Sequence, residues 1–142
     1  MRRVVLDTNI FVSALLSKNG TPAKIIDAWR ERIFLVITCE AATLEIQRVL
    51  DELFATGKYA ITKEQTESVI HLLRTDAIQV PGQMNVSGAI PQDPDDEKFL
   101  AIALEGEAEI IISGDNHLLN LGKYQNIIIQ TARQFLDSLK SE

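Results

Sequence analysis

The residues best suited to chemistry in this sequence are aspartates placed beside short apolar runs. Asp7 directly follows the apolar residues 4–6, and Asp115 closely follows the apolar residues 110–112. Three more aspartates lie together before a predicted helix, at Asp93, Asp95 and Asp96. A carboxylate at the end of a buried segment is costly unless a partner or a cation binds it. The pattern therefore points to a cation site, with a purely local role in turns and helix caps as the alternative.

We expect these carboxylates to converge with no lysine or arginine among them. Like charges a few ångströms apart raise one another's pKa, and Mg²⁺ or Mn²⁺, which prefer carboxylate and water ligands, remove that penalty. Two such ions about 3.5–4 Å apart can activate a water molecule and stabilise the leaving oxygen when a phosphodiester is cut. Side chains suited to orienting water stand beside the aspartates, at Thr8, Asn9, Ser113 and Asn116. The predicted chemistry is metal-assisted hydrolysis.

Other catalytic patterns are missing from the sequence or incomplete. It has no phosphate-binding glycine loop, no nucleophilic serine elbow and no His/Cys group spaced for zinc. A receiver domain needs a lysine after the strand at residues 110–112, and none follows it. A haloacid-dehalogenase-type phosphatase needs an aspartate at the position of Asn9. Both phosphoryl-transfer alternatives are therefore disfavoured.

Strands and helices are predicted to alternate along the chain, and these elements must position the candidate residues. Short apolar runs predict strands at residues 4–6, 34–37, 77–80, 110–112 and 127–129. Right-handed crossovers then place helices on both faces of a parallel sheet of four or five strands. The carboxyl ends of parallel strands share one edge, where ligands bind. The helix after Asp93 starts at that edge only if residues 77–80 form a strand.

Further predictions concern the starts of helices and the helix that carries Glu45. Glu45 lies on or beside the apolar face of a helix predicted over residues 40–54, so its carboxylate either reaches solvent or points inward to a cation. Asp93 is predicted to cap a helix in which Pro94 is the first residue. Asp95 and Asp96 then occupy its first turn, where the helix dipole favours negative charge. Thr21 is predicted to cap the second helix.

Bulk properties set limits on the class of protein. The 142 residues predict one domain over 1–142, and the net charge of −6 disfavours a protein that grips nucleic acid over its whole surface. No apolar run approaches a membrane span, and the first one is too short for a signal peptide. Cys39, the single cysteine, excludes an internal disulfide. These features predict a cytoplasmic protein.

Several motifs together resemble the PIN domain family, and in particular its bacterial toxin-component (VapC-like) branch. Residues 6–16 read LDTNIFVSALL, residues 93–104 read DPDDEKFLAIAL and residues 111–119 read IISGDNHLL. In this order they are similar to the first, third and fourth motifs of the family. Residues 20–22 and 131–136 are similar to one branch of toxin components. The resemblance covers nearly the whole chain.

The resemblance implies a three-layer α/β/α fold and a Mg²⁺- or Mn²⁺-dependent endoribonuclease of a toxin–antitoxin module. It carries over an acidic quartet of metal ligands, Asp7, Glu45, Asp96 and Asp115. Thr8 and Ser113 match positions that help to orient the site, while Asp93 and Asp95 are read as caps or supporting groups, and Asp95 could substitute for Asp96. RNA is the implied substrate, a cognate antitoxin and a second copy of the chain are the implied partners, and a catalytically silent PIN-like binding domain is the alternative.

Overall fold

A computed structural model describes residues 1–141, so the predicted end of the domain at residue 142 lies outside the described part. Its strands are β1 (Arg3–Leu6), β2 (Leu35–Thr38), β3 (Ala77–Gln79), β4 (Ile110–Ile112), β5 (Lys123–Tyr124) and β6 (Ile127–Gln130). Its α-helices are α1 (Thr8–Leu16), α2 (Thr21–Arg30), α3 (Glu40–Ala55), α4 (Lys63–Thr75), α5 (Glu97–Glu105), α6 (Asn116–Leu121) and α7 (Ala132–Lys140). A 3₁₀ turn, Pro94–Asp96, leads into α5.

The strands form one sheet in the order β3-β2-β1-β4-β6-β5. The five predicted strands are parallel neighbours, which confirms the predicted sheet and includes β3, on which the placement of the acidic helix start depended. The sheet has six strands and not the predicted four or five, because β5 adds a two-residue antiparallel strand at its edge. Its residues, Lys123 and Tyr124, form no apolar run, so the sequence pattern did not reveal it.

Alternate strand residues supply two separate cores, one on each face of the sheet. Val4 and Ile110 pack with α1, α2, α3, α4 and α7 on one face. Val5 and Ile111 pack with α5 and α6 on the other. Because successive strand side chains point to opposite faces, continuous apolar runs are what a sheet covered on both sides requires. The three-layer α/β/α prediction is confirmed. Within residues 1–141, no helix is long and apolar enough to cross a membrane.

The helix starts agree with the sequence in part. Gly20, and not Thr21, is the N-cap of α2, and it offers no side-chain hydrogen bond. Pro94 begins a 3₁₀ turn and α5 begins only at Glu97, so Asp95 and Asp96 precede the α-helix. Asp93 occupies the predicted N-cap position, with Pro94 after it, but the element that it precedes is the 3₁₀ turn and its side chain makes no capping hydrogen bond. Cys39 is the buried N-cap of α3, with its sulfur accepting from the Ala42 N–H at 3.4 Å.

Candidate metal centre

The strand order places Asp7 and Asp115 at the crevice of the sheet. β1 and β4 are adjacent and parallel, and from them the chain winds outward in opposite directions, to β2 and β3 on one side and to β6 on the other. In such doubly wound sheets the crevice between the two strands at the reversal is the usual binding position. Asp7 follows β1 and Asp115 lies three residues beyond β4. The topology itself therefore brings these two carboxylates to one edge.

Asp7 is a buried carboxylate with polar partners. It is 2% exposed and caps α1, accepting from the Ile10 N–H at 3.3 Å, while its other oxygen accepts from the Ser113 hydroxyl. Burial raises its pKa to about 6, and the Asp115 carboxylate adds to the rise, whereas the hydrogen bonds from Ser113, Ile10 and Asn9 oppose it. A proton or a metal cation would relieve the cost of this charge.

Ser113 connects the two aspartates that follow the strands. It is fully buried, it donates to Asp7, and its oxygen accepts from the Asp115 N–H at 2.9 Å. Asp115 in turn caps α6, its Oδ1 accepting from the N–H groups of His117 at 2.8 Å and Leu118 at 3.2 Å. One hydroxyl thus fixes Asp7 and the backbone that carries Asp115, as the predicted supporting role for Ser113 requires.

Asp96 adds the third carboxylate, from the end of the 3₁₀ turn. Burial raises its pKa to about 8, and repulsion from Asp115 and then from Asp93 contributes to the rise. Its Oδ2 atom is buried and accepts no hydrogen bond from a donor group of residues 1–141, while close contact of the Asp96 carboxyl with the Asp93 and Asp115 carboxyls also favours its protonated form. A buried acceptor without a partner costs about 1–3 kcal/mol, and more when it is charged. A hard divalent cation would satisfy this atom, so the residues present fit a divalent metal ion.

Glu45 reaches the same region from α3, but both of its oxygens are engaged. Oε1 accepts from the Lys98 ammonium at 2.7 Å, and Oε2 accepts from the Thr8 hydroxyl. The Glu45 and Lys98 side chains are 26% and 23% exposed. The sequence left open whether the Glu45 carboxylate reaches solvent or points inward to a cation. In the structure it points inward, and the cation that it contacts is the Lys98 ammonium group.

Lys98 overturns the expectation that no basic residue stands among the carboxylates. It lies two residues after Asp96 and also donates to the Asp95 carbonyl oxygen at 2.8 Å. The prediction for this segment rested on its aspartates and did not include the lysine beside them. The signal was available, because the first turn of the helix that follows Asp96 carries Lys98 at the same sheet edge.

A second grouping places Asp93 and His117 beside Asp115. One ligand atom from each of these three residues lies within 4.8 Å of the others. His117 Nδ1 is 3.6 Å from Asp93 Oδ2 and 3.9 Å from Asp115 Oδ1. His117 was not among the predicted site residues, although its position two residues after Asp115 was a usable signal. The acidic region is therefore continuous from Asp7 through Asp115 to Asp93.

The remaining predicted supporting residues are placed as follows. Thr8 holds Glu45. Asn9 is exposed in the first turn of α1 and affects Asp7 through its backbone N–H. Asp95 is exposed, and its carbonyl group, not its carboxylate, has the described contact with Lys98. Asn116 is the exposed first residue of α6. Asp96 is thus the better placed of the two neighbouring aspartates.

Comparison with known proteins gives two findings. The family model described as "PIN domain" matches residues 3–117, a segment that contains every carboxylate of the site. An uncharacterized protein of Methanocaldococcus jannaschii is 29% identical in an alignment that covers 97% of this chain and 92% of that protein. The second finding extends the likeness beyond residue 117, to nearly the full length of both chains.

Proposed function

The chain belongs to the PIN domain family, and from this premise we propose that it is a Mg²⁺- or Mn²⁺-dependent endoribonuclease that hydrolyses RNA phosphodiester bonds. PIN domains are generally nucleases, and this chain contains a candidate metal-ligand group, Asp93, Asp115 and His117. The predicted ligands Asp7 and Asp96 both lie close enough to Asp115 for its charge to raise their pKa values. The observation that carries the proposal is the buried, unpartnered Oδ2 of Asp96 beside Asp115. An acidic site of this kind suits a cation that acts on a charged phosphodiester.

The proposed roles follow from the hydrogen bonds at the site. Asp7, Asp96 and Asp115 would hold the metal, and Glu45 completes the quartet with its carboxylate oriented by Thr8 and Lys98. The metal, when bound, supplies water activation and charge stabilisation. Ser113 keeps Asp7 and Asp115 in register.

The proposal is tested with the variant Asp7→Asn and the matched control Asp51→Asn, which changes an exposed aspartate of α3. Asparagine keeps an oxygen that can accept from the Ile10 N–H but removes the charge. We expect Asp7→Asn to lose Mn²⁺-dependent cleavage of single-stranded RNA by at least about 100-fold, and Asp51→Asn to cleave normally. Calorimetry should show Mn²⁺ binding that Asp7→Asn weakens.

Two results would contradict the proposal. Equal cleavage by Asp7→Asn and the unaltered protein would remove the acidic site from the mechanism. Absence of both cleavage and Mn²⁺ binding in the unaltered protein would favour the alternative, a PIN-like domain that only binds protein or RNA.

We further propose that the protein is the toxin of a toxin–antitoxin module, that it binds a cognate antitoxin and that it forms a homodimer. These proposals are supported by the motif likeness of residues 6–16, 93–104 and 111–119. Induced expression should arrest growth, and Asp7→Asn should relieve the arrest. Light scattering after gel filtration should give twice the chain mass. Normal growth on induction would separate the toxin role from the nuclease activity, and a monomer would exclude the homodimer.

A further inference from the structure

A cavity of about 430 Å³ opens beside the candidate metal centre, between residues 89–92 and helix α6. Its lining includes Ile90, Pro91, Gln92, His117, Asn120 and Leu121. The volume lies within the range of about 300–1,000 Å³ typical of pockets for small organic ligands. Of these residues only His117, which lies in the candidate ligand group with Asp93 and Asp115, also borders the acidic site.

Both walls of the cavity are held in place. Ile90 is 2% exposed, and its N–H donates to a Glu97 carboxylate oxygen at 2.8 Å. The Asp93 N–H donates to the Ile90 carbonyl at 3.1 Å. On the opposite side, Asp115 caps α6 and Leu118 is fully buried. The backbone of both walls is therefore held in place, which lowers the entropic cost of binding.

The lining combines apolar residues with two carboxamide residues and one imidazole, and it suits an uncharged ligand. Gln92 and Asn120 provide carboxamide groups, which both donate and accept hydrogen bonds, while Ile90, Pro91 and Leu121 provide apolar surface. No lysine, arginine or carboxylate of the described chain lines the cavity, so it does not suit a phosphate group or a metal ion. Carboxamides pair with the edges of nucleobases, and an imidazole ring such as that of His117 stacks on their faces.

The position of His117 connects this cavity to the acidic site. Its Nδ1 lies 3.6 Å from Asp93 Oδ2 and 3.9 Å from Asp115 Oδ1, while its ring lines the cavity. A base bound in the cavity would therefore belong to a nucleotide that flanks the phosphodiester at the metal centre.

We propose that this cavity binds one unpaired nucleobase of the substrate strand, next to the bond that is cut. The assignment to an RNA substrate rests on the proposed function, but binding of the base alone does not require cleavage. Single-stranded RNA fits this arrangement because its unstacked bases can be turned outward into a protein pocket.

The first test uses ¹⁵N-labelled full-length protein titrated with adenosine, guanosine, cytidine and uridine, none of which carries a phosphate. We expect at least one nucleoside to shift the side-chain amide signals of Asn120 and Gln92. The variant Asn120→Ala should weaken that binding at least fivefold, and the matched control Asn19→Ala, at an exposed position away from the cavity, should leave it unchanged. Unmoved Asn120 and Gln92 signals with all four nucleosides at the limit of their solubility would overturn the proposal.

The second test compares oligoribonucleotides that differ in one nucleotide beside the cleavage position. Asn120→Ala should change the ratio of kcat/KM between the best and the worst base by about tenfold, with little effect on an abasic substrate. An unchanged ratio would overturn the base site while leaving the nuclease intact. If the unaltered protein cleaved no RNA, the proposed function would fail and the nucleoside titration would still decide the base site.

Discussion

At the scale of single residues, Asp7 shows that a local role and a chemical role can coexist. Its side chain caps α1, as a turn-forming aspartate does, and the same carboxylate stands buried beside Asp115 with a pKa raised to about 6. The two alternatives posed by the sequence, a helix cap or part of a cation site, do not exclude each other. A cap uses one or two lone pairs of a carboxylate, and others are left for a cation.

The contact between Glu45 and Lys98 shows that one basic neighbour can compensate the charge of an acidic site residue. The Lys98 ammonium neutralises Glu45 and also binds the Asp95 carbonyl oxygen, so it fastens α3 to the start of α5. Its nitrogen lies 5.4 Å from the centre of the Phe99 ring, which adds a cation–π contact. The acidic site is therefore partly compensated before any metal binds.

Replacing Lys98 with methionine should tighten metal binding and slow catalysis. Methionine retains an apolar stem near Phe99 but removes the positive charge, so the site becomes more negative and Mn²⁺ affinity should rise about tenfold. Cleavage should slow because Glu45 loses one of its two fixed partners. Isothermal calorimetry and initial rates measure the two effects.

The matched control for this prediction is Lys63→Met, because Lys63 pairs with Glu67 on the exposed surface of α4. Lys98→Arg should restore most of the rate. Equal Mn²⁺ affinity in Lys98→Met and the unaltered protein would show that the ammonium group does not influence the metal site.

At the scale of elements, the chain before α5 decides where Asp96 stands. The 3₁₀ turn Pro94–Asp96 replaces the expected first α-helical turn. Carboxylates of α5 also fix the preceding loop: Glu105 accepts from the N–H groups of Gly82 and Met84, both at 2.9 Å, and Glu97 accepts from Ile90. These bonds hold a long connection against the helix, so the loop is a rigid wall of the site.

The end of α5 depends on a close approach to β2. A Cβ atom added to Gly106 would lie 2.4 Å from Ile37 Cγ2, a distance at which atoms must move. Gly106 has a φ of −88°, which other residues adopt, so the requirement is for space and not for backbone freedom. Glycine here lets the helix end pack directly on the sheet.

Gly106→Ala should therefore destabilise the protein by about 1–3 kcal/mol through overpacking. Urea denaturation gives the free energy of unfolding from the shift in midpoint. Gly114→Ala is the matched control, because an added Cβ there meets nothing within 4 Å. Equal stability of both variants would mean that Ile37 moves aside without cost.

At the scale of the whole molecule, the distribution of charge does not favour binding of nucleic acid over a broad basic surface. The net charge is −6, and three of the mid-chain bases pair with acids of the same chain, as Arg32–Asp76, Arg48–Glu52 and Lys63–Glu67. Exposed pairs of this kind contribute little to stability. We expect affinity for RNA to depend on the metal at the acidic site more than on a basic surface.

The stability of the metal-free protein should fall as pH rises. Asp7 and Asp96 have pKa values raised to about 6 and about 8, against about 3.9 in an unfolded chain. The folded state therefore binds more protons between pH 4 and 8, and the stabilisation present below pH 4 is lost as pH rises through the folded values. Asp7 alone should account for about 1–1.5 kcal/mol between pH 5 and pH 8.

Urea denaturation in EDTA at pH 5 and pH 8 measures this loss. The interval avoids the exposed Glu40 and Glu105, whose lowered pKa values give stability that is lost only at more acidic pH. Asp7→Asn should remove the part of the stability loss that is due to Asp7. Adding Mn²⁺ should restore the lost stability at pH 8, because a cation favours the charged carboxylates. Stability that rises from pH 5 to pH 8 without metal would contradict the assignment of these pKa shifts.

The sequence by itself determined the alternation of strands and helices, the two-sided sheet and the positions of Asp7 and Asp115 after their strands. These follow from local rules, because a buried strand needs a continuous apolar run and a helix needs a spaced one. The capping boxes Thr62–Gln65 and Thr131–Gln134 follow from the same kind of local rule, since each is closed within four residues. The motif order was enough to indicate the PIN family.

Only the tertiary structure decided which groups meet across long stretches of chain. Thr8 and Glu45 are 37 residues apart, Glu45 and Lys98 are 53 apart, and Asp7 and Ser113 are 106 apart. No local pattern encodes such pairs, because they depend on strand order and on the exact course of a loop and a 3₁₀ turn. That is why the contact of Lys98 with Glu45, the contact of His117 with Asp93 and the burial of the Asp96 Oδ2 atom could be seen only once the strand order had brought these segments to one edge.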